Sequence, residues 1–224
     1  MKKVLSTLIL CLVVPAVAIG GALIFRERMY AWITLCIVVL ACVPFLVRFE
    51  RGAADARRLI LIAALTALSV LGRMAFAPVP GFKPVTAMVV ITAMYFGSEA
   101  GFLTGALSAV ISNFYFGQGP WTPFQMFAWG IIGFIAGLIA EPLKRSRIIL
   151  SVYAVLSGVL YSFLMDIWTV LWADGYFNIS RYLAALVSAV PFTAVYAVSN
   201  LVFLLLLARP IGKILERIKT KYAL

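Results

Sequence analysis

The chain has 224 residues, of which 64% are hydrophobic and only 12% charged, and its formal net charge is +11. This composition lies far outside the range of soluble globular domains and indicates an integral membrane protein. The apolar runs are continuous rather than alternating, which predicts membrane-spanning helices and argues against a transmembrane barrel. The basic excess predicts membrane topology rather than nucleic-acid binding, because of how it is distributed along the chain.

Several kinds of catalytic and metal site are excluded by what the sequence lacks. There is no histidine, which rules out histidine-based acid–base catalysis and a HExxH zinc site. No GxxxxGK[ST] phosphate loop and no carboxylate pair at metal-ligand spacing occur. The cysteines lie in apolar runs without CxxC spacing and are interpreted as small apolar residues: Cys11, Cys36 and Cys42. No catalytic constellation supports an enzyme, and we predict no catalytic residue, metal or cofactor.

The first 50 residues form a unit of their own. Apolar runs at residues 4–25 and 29–47 are each long enough to span a bilayer. The first run follows two lysines and contains a small-residue triplet, so it could be a cleaved signal peptide, but its length favours a retained helix. The charged segment 48–58 then separates an N-terminal hairpin, residues 1–50, from a core domain, residues 51–224.

The core reads as six further apolar spans, which makes about eight transmembrane helices in total. The second core span is short, so it is tilted, extended through the preceding turn or partly re-entrant. The predicted core spans are residues 59–76, 84–96, 100–116, 123–140, 148–172 and 182–208.

The distribution of basic residues predicts the orientation of these spans. With the N-terminus inside, most of the 19 Lys and Arg residues fall on the cytoplasmic side. We therefore expect a multi-pass protein of the cell membrane with both termini cytoplasmic. The basic residues assigned to the outer side are Arg26, Arg28, Arg73, Lys83 and Arg181.

Small residues recur along two neighbouring spans. Glycines and alanine at such spacing allow helix backbones to approach closely inside a bilayer, where packing replaces the hydrophobic effect. We therefore expect these small residues to pack a helical bundle. The residues concerned are Gly97, Gly101, Gly105 and Ala109 in the first span, and Gly130, Gly133 and Gly137 in the second.

Three outward loops, residues 77–83, 117–122 and 173–180, are rich in aromatic residues, amides and prolines. This mixture is expected of a lid over a mostly apolar pocket. The alternative is an aromatic belt at the membrane interface, which requires no ligand. Three such loops on one face favour a binding site.

Polar groups inside the spans indicate where such a site lies. Arg73 and Asp166 lie at a similar level near the outer face, where an unpaired charge is costly. They either pair with each other as a structural clamp or contact a ligand. Asn200 lies deeper and is predicted to form a helix–helix hydrogen bond. A polar-aromatic cluster is predicted beside the 117–122 turn, formed by Asn113, Tyr115, Gln125 and Trp129.

These residues resemble a known family. The core from about Ala56 onward is similar to the substrate-binding S component of energy-coupling factor (ECF) vitamin transporters. The resemblance is carried by six spans with both ends inside, by Ala63-Ala64-Leu65-Thr66-Ala67, and above all by NFYFGQGPWTPFQMFAWG at residues 113–130. Within the family, the chain looks closest to members assigned to cobalamin.

The resemblance implies that the chain captures a vitamin from outside the cell. The partners it implies are a transmembrane coupling subunit, docked on Ala63 and Ala67, and two ATPase subunits that power import. A mouth rich in amides suits a corrinoid, although it would also suit riboflavin, folate or pantothenate. The candidate substrate-binding residues on this topology are Arg73, Lys83, Asn113, Tyr115, Gln118, Trp121, Gln125, Trp129, Asp166, Trp172, Tyr176 and Asn178.

Two other classes remain open at the level of sequence. In a self-sufficient secondary transporter, Asp166 would be a proton-coupling carboxylate. Many such transporters contain internal repeats, and no convincing repeat is found in this chain. In a structural or assembly protein of the membrane, the aromatic loops would serve only as interface anchors.

Overall fold

The computed structural model describes residues 56–222, and the predicted N-terminal hairpin lies outside these residues. Every element of the described part is an α-helix, so the prediction of an all-helical fold is confirmed there. The helices in chain order are α1 (Ala56–Ala75), α2 (Val85–Phe96), α3 (Ser98–Phe116), α4 (Thr122–Leu138), α5 (Ala140–Arg145), α6 (Arg147–Asp174) and α7 (Ile179–Tyr222).

The helices coincide closely with the six predicted core spans, with two differences. A short helix, α5, lies between the fourth and fifth spans, and the last helix continues beyond residue 208 to Tyr222. Pro210 suggests an end there, because proline removes a backbone donor and normally breaks a helix. Instead α7 runs on through it as a basic extension, anchored where Lys219 Nζ donates to the carbonyl of Tyr95 at 3.0 Å.

Three helical stretches are long and apolar enough to cross a membrane, namely Arg57–Ala75, Arg147–Asp174 and Ile179–Lys221. Val85–Phe96 and Thr122–Leu138 are apolar but shorter. At about 1.5 Å per residue, α2 is roughly 18 Å long, well short of the roughly 30 Å hydrocarbon core. Three spans are thus supported by length and composition, and the full count of eight stays a prediction.

The short helix α2 lies at the centre of the bundle. Residues along its whole length are buried, including Ala87, Val90 and Ala93 at 0% exposure. It packs against α1, α3, α4 and α7. A helix that is apolar on all sides is expected to be buried by protein, so the short second span is enclosed by the other helices.

The glycine-rich faces of α3 and α4 pack directly against each other, as the small-residue pattern predicts. A Cβ placed on Gly101 would lie 2.7 Å from the carbonyl oxygen of Gly133, and one on Gly105 would lie 2.6 Å from that of Trp129. Any side chain at these positions would push the helices apart. Gly97 differs from the expectation, since it has φ +90° with open space around it and forms the turn between α2 and α3.

One end of the bundle is basic and holds the C-terminal end of α2. Arg58 Nη2 donates to the carbonyl of Phe96 at 2.5 Å, next to the Lys219–Tyr95 contact. Cations are favoured there because the last carbonyls of a helix are unpaired and its dipole is negative at that end. Since the long helices alternate in direction, residues 76–84, 117–121 and 175–178 connect helices at the opposite end.

Candidate functional site: a polar-aromatic cleft at the non-basic end

A small cleft of about 100 Å³ opens at the end of the bundle opposite the basic one. It lies between the end of α1, the connection that follows it, the first turn of α2 and the facing sides of α4, α6 and α7. Its lining combines cations, amides and aromatic rings. The lining residues are Arg73, Gly81, Lys83, Val85, Thr86, Gln125, Trp129, Tyr161, Tyr196 and Asn200.

The connection between α1 and α2, residues 76–84, is folded back onto α7. The rings of Phe76 and Phe82 each lie 5.0 Å from that of Phe203. The backbone N–H of Lys83 donates to Ser199 Oγ on α7 at 2.8 Å, which holds the connection against that helix. Gly81 adopts φ +75° where the chain passes Tyr196, a conformation that glycine reaches without steric cost. This connection therefore forms one wall of the cleft.

Arg73 lies at the base of this wall and is only 7% exposed. Its Nη1 donates to Asn113 Oδ1 at 2.9 Å and also to Ser112 Oγ. The guanidinium stacks over two rings, with its Cζ 4.6 Å from the centre of Phe116 and 5.0 Å from that of Trp129. No ion pair within residues 56–222 involves Arg73.

The proposed clamp between Arg73 and Asp166 is therefore not what holds Arg73 in place. Arg73 donates to Asn113 on α3, and no ion pair within residues 56–222 joins it to Asp166 on α6. One carboxylate oxygen of Asp166 is buried without a hydrogen-bond partner. Asp166 is also not among the residues that line the cleft.

Asn113 connects Arg73 to α4 directly and to α6 through Gln125. It is 1% exposed, and its Nδ2 donates to Thr122 Oγ1 at 2.9 Å and to Gln125 Oε1 at 2.8 Å. Gln125 Nε2 in turn donates to the hydroxyl of Tyr161 at 3.4 Å. A buried network of this kind restricts side-chain orientation, because each unmade bond would carry a desolvation cost.

Aromatic rings of α4, α6 and α7 form another wall of the cleft. The rings of Trp129 and Tyr161 are stacked, with centres 5.0 Å apart and planes at 18°. Tyr196 contacts Tyr161 edge-on at 5.2 Å. Rings arranged in this way offer flat apolar surface with hydroxyl groups at the edge, which suits a ligand that has both apolar and polar faces.

Lys83 provides a second cation at the mouth of the cleft. Its Nζ lies 4.6 Å from the centre of the Phe116 ring, on which Arg73 also stacks. Partial burial, and next the positive charge of Arg73, lower the pKa of Lys83 from its usual value. Two cations next to one ring, without a carboxylate bound to either among the described residues, make the cleft electropositive.

The structure brings together about half of the candidate residues predicted from sequence. Arg73, Lys83, Gln125 and Trp129 line the cleft, and Asn113 bonds directly to two of them. Gln118 does not line the cleft but is linked to Asn113 through Thr122, whose Oγ1 donates to Gln118 Oε1 at 3.0 Å. Trp121 is 37% exposed in the same turn.

Other candidates lie away from the cleft, and their contact with a ligand stays a prediction. Tyr115 is 63% exposed on the outer side of α3, and Trp172 is 57% exposed and packs on Trp168. Tyr176 is 41% exposed in the connection between α6 and α7. Asn178 immediately precedes α7, and its Oδ1 accepts from the backbone N–H of Arg181 at 3.2 Å, a capping role.

Sequence reasoning did not identify several residues of the cleft, namely Gly81, Val85, Thr86, Tyr161 and Tyr196. The tyrosines lie inside long apolar runs, where nothing distinguishes a ring that faces a cleft from one that faces lipid. Asn200 donates to Ser157 Oγ at 3.1 Å, so its predicted helix–helix bond is confirmed, and it also lines the cleft.

Comparison with known proteins yields one family. Residues 54–217 match the family model described as the S component of ECF-type riboflavin transporters. No curated protein and no solved structure gives a significant match to the chain. The family match spans the entire helical core around the cleft and well over half of the chain. The chain therefore belongs to the ECF-type S-component family, whose members are the substrate-binding membrane subunits of vitamin importers that work with a separate ECF module.

Proposed function

We propose that this S component binds a vitamin in the polar-aromatic cleft, with Arg73 and Lys83 as the cations that select it and Trp129 and Tyr161 as its apolar platform. The observation that carries the proposal is the pair of cations that face an aromatic cleft without a carboxylate bound to either. Cations placed in this way favour a ligand that has a negative charge or many carbonyl oxygens.

Cobalamin offers both of these features. Its nucleotide loop contains an anionic phosphodiester, which can accept from a guanidinium and an ammonium, and its corrin ring is fringed with amides. The amides of Gln125 and Asn200, which line the cleft, are complementary to such a fringe. This chemistry agrees with the similarity of residues 113–130 to members assigned to cobalamin.

Riboflavin is the second candidate, because the matching family model is described by that vitamin. Its flat ring system suits the stacked surface of Trp129 and Tyr161, but it is uncharged and gives the two cations only carbonyl and ring-nitrogen acceptors. Either vitamin requires the cleft to widen, because about 100 Å³ is below the roughly 300–1,000 Å³ of typical small-molecule sites. The connection at residues 76–84 is the wall whose displacement would widen it.

The exposed face of α1 is the proposed docking surface for the coupling subunit. Ala63 and Ala67 are exposed one helical turn apart, and the surrounding side chains of Ile60, Leu68 and Leu71 are 66%, 52% and 60% exposed. Small residues at this spacing permit a second helix to approach closely within the bilayer. Transport would then depend on this face, whereas vitamin binding would not.

The test is a panel of cyanocobalamin, riboflavin, folate, pantothenate and biotin added to the purified full chain, with melting temperature and calorimetric affinity measured. A ligand at 100 times its dissociation constant stabilises the native state by about 2.7 kcal/mol. We expect the largest shift with cyanocobalamin. Lys83→Gln should reduce this affinity about tenfold, as expected for loss of one charge-assisted hydrogen bond.

Lys213→Gln is the matched control, because Lys213 lies on α7 near the basic end of the bundle and does not line the vitamin cleft. Its affinity for cyanocobalamin should equal that of the unchanged chain. A shift with riboflavin alone would replace cobalamin by the second candidate. A shift with cobalamin that is insensitive to Lys83→Gln would contradict the role assigned to the cations.

A further inference from the structure

A second and larger cleft, of about 280 Å³, opens at the basic end of the bundle between α2, α5, α6 and α7. Its floor is apolar and well packed, since Leu143 and Leu204 are 1% and 0% exposed and Leu150 and Ala208 are each 6% exposed. Leu205, which is 40% exposed, continues this apolar surface outward along α7. The vitamin cleft shares none of these residues.

The rim of this second cleft is strongly basic. Five cationic side chains contribute to it from three helices, and among the described residues that line it Glu216 is the single carboxylate. The three cations on α6 and α7 make no hydrogen bond or ion pair within residues 56–222, whereas the two on α5 are engaged by Glu141. The cations are Arg147, Arg209 and Lys213, and on α5 Lys144 and Arg145.

We propose that this cleft binds an anionic phospholipid, with its phosphate held by Arg147, Arg209 and Lys213 and an acyl chain lying along the exposed side chain of Leu205. An apolar floor below a cationic rim matches the two parts of such a lipid. Basic pockets between helices at the cytoplasmic side of a membrane are a known type of site for anionic head groups. The excess of basic residues predicts that this end faces the cytoplasm.

The composition of the cleft favours a lipid over a soluble anion. A free phosphate would contact only the rim, where Glu216 offsets part of the positive charge, and would leave the exposed apolar surface of Leu205 uncovered. A lipid gains from both, because the acyl chain covers apolar surface while the head group desolvates the cations only partly. This inference does not depend on the identity of the vitamin.

The experiment is a titration of the delipidated full chain in neutral detergent, followed by native mass spectrometry. Dioleoyl-phosphatidylglycerol is compared with phosphatidylcholine of the same acyl chains, and we expect the anionic lipid to bind at least about tenfold more tightly. Each basic side chain near an anionic head group is worth about fivefold in affinity. Arg209→Gln with Lys213→Gln should therefore weaken phosphatidylglycerol binding about 30-fold.

The matched control is Arg217→Gln with Lys221→Gln, which removes the same charge from the same helix at positions that do not line the cleft. Its affinity for phosphatidylglycerol should change less than about twofold. A second variant, Arg147→Gln, removes one rim cation from a different helix and should cost about fivefold. All the substituted side chains are exposed, so the variants are expected to fold.

Three results would overturn the proposal. An equal loss in the rim and control variants would mean that the protein attracts anionic lipid only through its overall charge. Equal binding of phosphatidylcholine would mean that the rim does not select the head group. If inorganic phosphate or glycerophosphoglycerol at equal concentration displaced phosphatidylglycerol, the site would recognise a soluble anion rather than a lipid.

Discussion

Arg73 donates to Asn113 at 2.9 Å, so the buried cation of α1 is held by an amide of α3 rather than by a carboxylate. An amide orients the guanidinium without neutralising its charge. That charge therefore remains available to a ligand in the cleft, next to the ammonium of Lys83.

Two substitutions of Asn113 should distinguish its contribution to stability from the contribution of the Arg73 charge to vitamin binding. Asn113→Ala leaves Arg73, Thr122 and Gln125 each without one bond and should lower the free energy of unfolding by about 1–3 kcal/mol. Asn113→Asp keeps an acceptor for Arg73 and should be less destabilising. It should nevertheless weaken vitamin binding more than tenfold, because its carboxylate neutralises the cation. Thermal unfolding and calorimetry measure the two effects.

The opposite pattern would contradict this account. If Asn113→Asp bound the vitamin as tightly as the unchanged chain, the charge of Arg73 would not contribute to recognition. Ser108 is a suitable comparison on the same helix, since its hydroxyl donates to Ser69 Oγ at 2.9 Å and neither serine lines the cleft. Ser108→Ala should therefore affect stability but not affinity.

Neutralising Asp166 should not lower the stability of the protein, as neutralising a member of an ion pair would. One of its carboxylate oxygens is buried without a hydrogen-bond partner, and Arg73 bonds elsewhere. Removing an unpaired charge from an apolar environment relieves a cost. We expect Asp166→Asn to leave the melting temperature unchanged or to raise it, by up to about 1 kcal/mol in free energy of unfolding. A clear decrease in melting temperature without ligand would restore the clamp hypothesis.

Much of the architecture follows from sequence because it depends on local signals. Charged residues before α1 and glycines after α2 and α3 bound the helices, and the spacing of Gly101, Gly105 and Gly133 identifies the faces on which α3 and α4 meet. Both kinds of signal are read within a single helix, so they do not require knowledge of how the helices are arranged.

The candidate site is only partly predictable, because it depends on how the helices are arranged around it. Sequence indicates the depth of Arg73 and Asp166 in the membrane, but not the direction in which each helix turns its side chains. The pairing with Asp166 that depth suggests is not formed among the described residues, since Arg73 bonds to α3 instead. The same limit conceals Tyr161 and Tyr196, because tyrosine within an apolar run can face lipid, protein or a cleft at the same spacing.

Lys83 gives a prediction for pH dependence. Its pKa is lowered in the folded chain, first by burial and then by Arg73, so the unfolded chain retains this proton to higher pH. Stability without ligand should therefore rise with pH between the folded and the unfolded pKa of Lys83. Vitamin affinity should fall over the same range, because the neutral amine loses its attraction for an anion.

Lys83→Gln provides the check on this assignment. It should remove the change in affinity with pH and leave a weak, pH-independent site, as measured by calorimetry across the alkaline range. A pH dependence that persists in Lys83→Gln would assign the titration to another group. The Lys213→Gln variant should titrate like the unchanged chain, because Lys213 does not line the vitamin cleft.

The close contact between α3 and α4 should tolerate no added volume. A Cβ on Gly133 would lie 2.5 Å from the carbonyl carbon of Gly101 and 2.7 Å from Val89 Cγ1. Gly133→Ala should therefore destabilise the protein by about 1–3 kcal/mol through overpacking. Thermal unfolding measures this, and an unchanged melting temperature would mean that the two helices separate at little cost.

Larger side chains on the exposed face of α1 should reduce transport without reducing stability. Ala63→Leu with Ala67→Leu adds side chains where the described part of the chain leaves open surface, so melting temperature and vitamin affinity should not change. Uptake by cells that contain the ECF module should fall by at least tenfold, because the coupling helix can no longer approach closely. Ala184→Leu with Ala194→Leu, at exposed positions on α7, is the matched control and should transport normally. Loss of vitamin binding in the α1 variant would show that these alanines pack the bundle, and equal uptake defects in both variants would show that docking is not confined to α1.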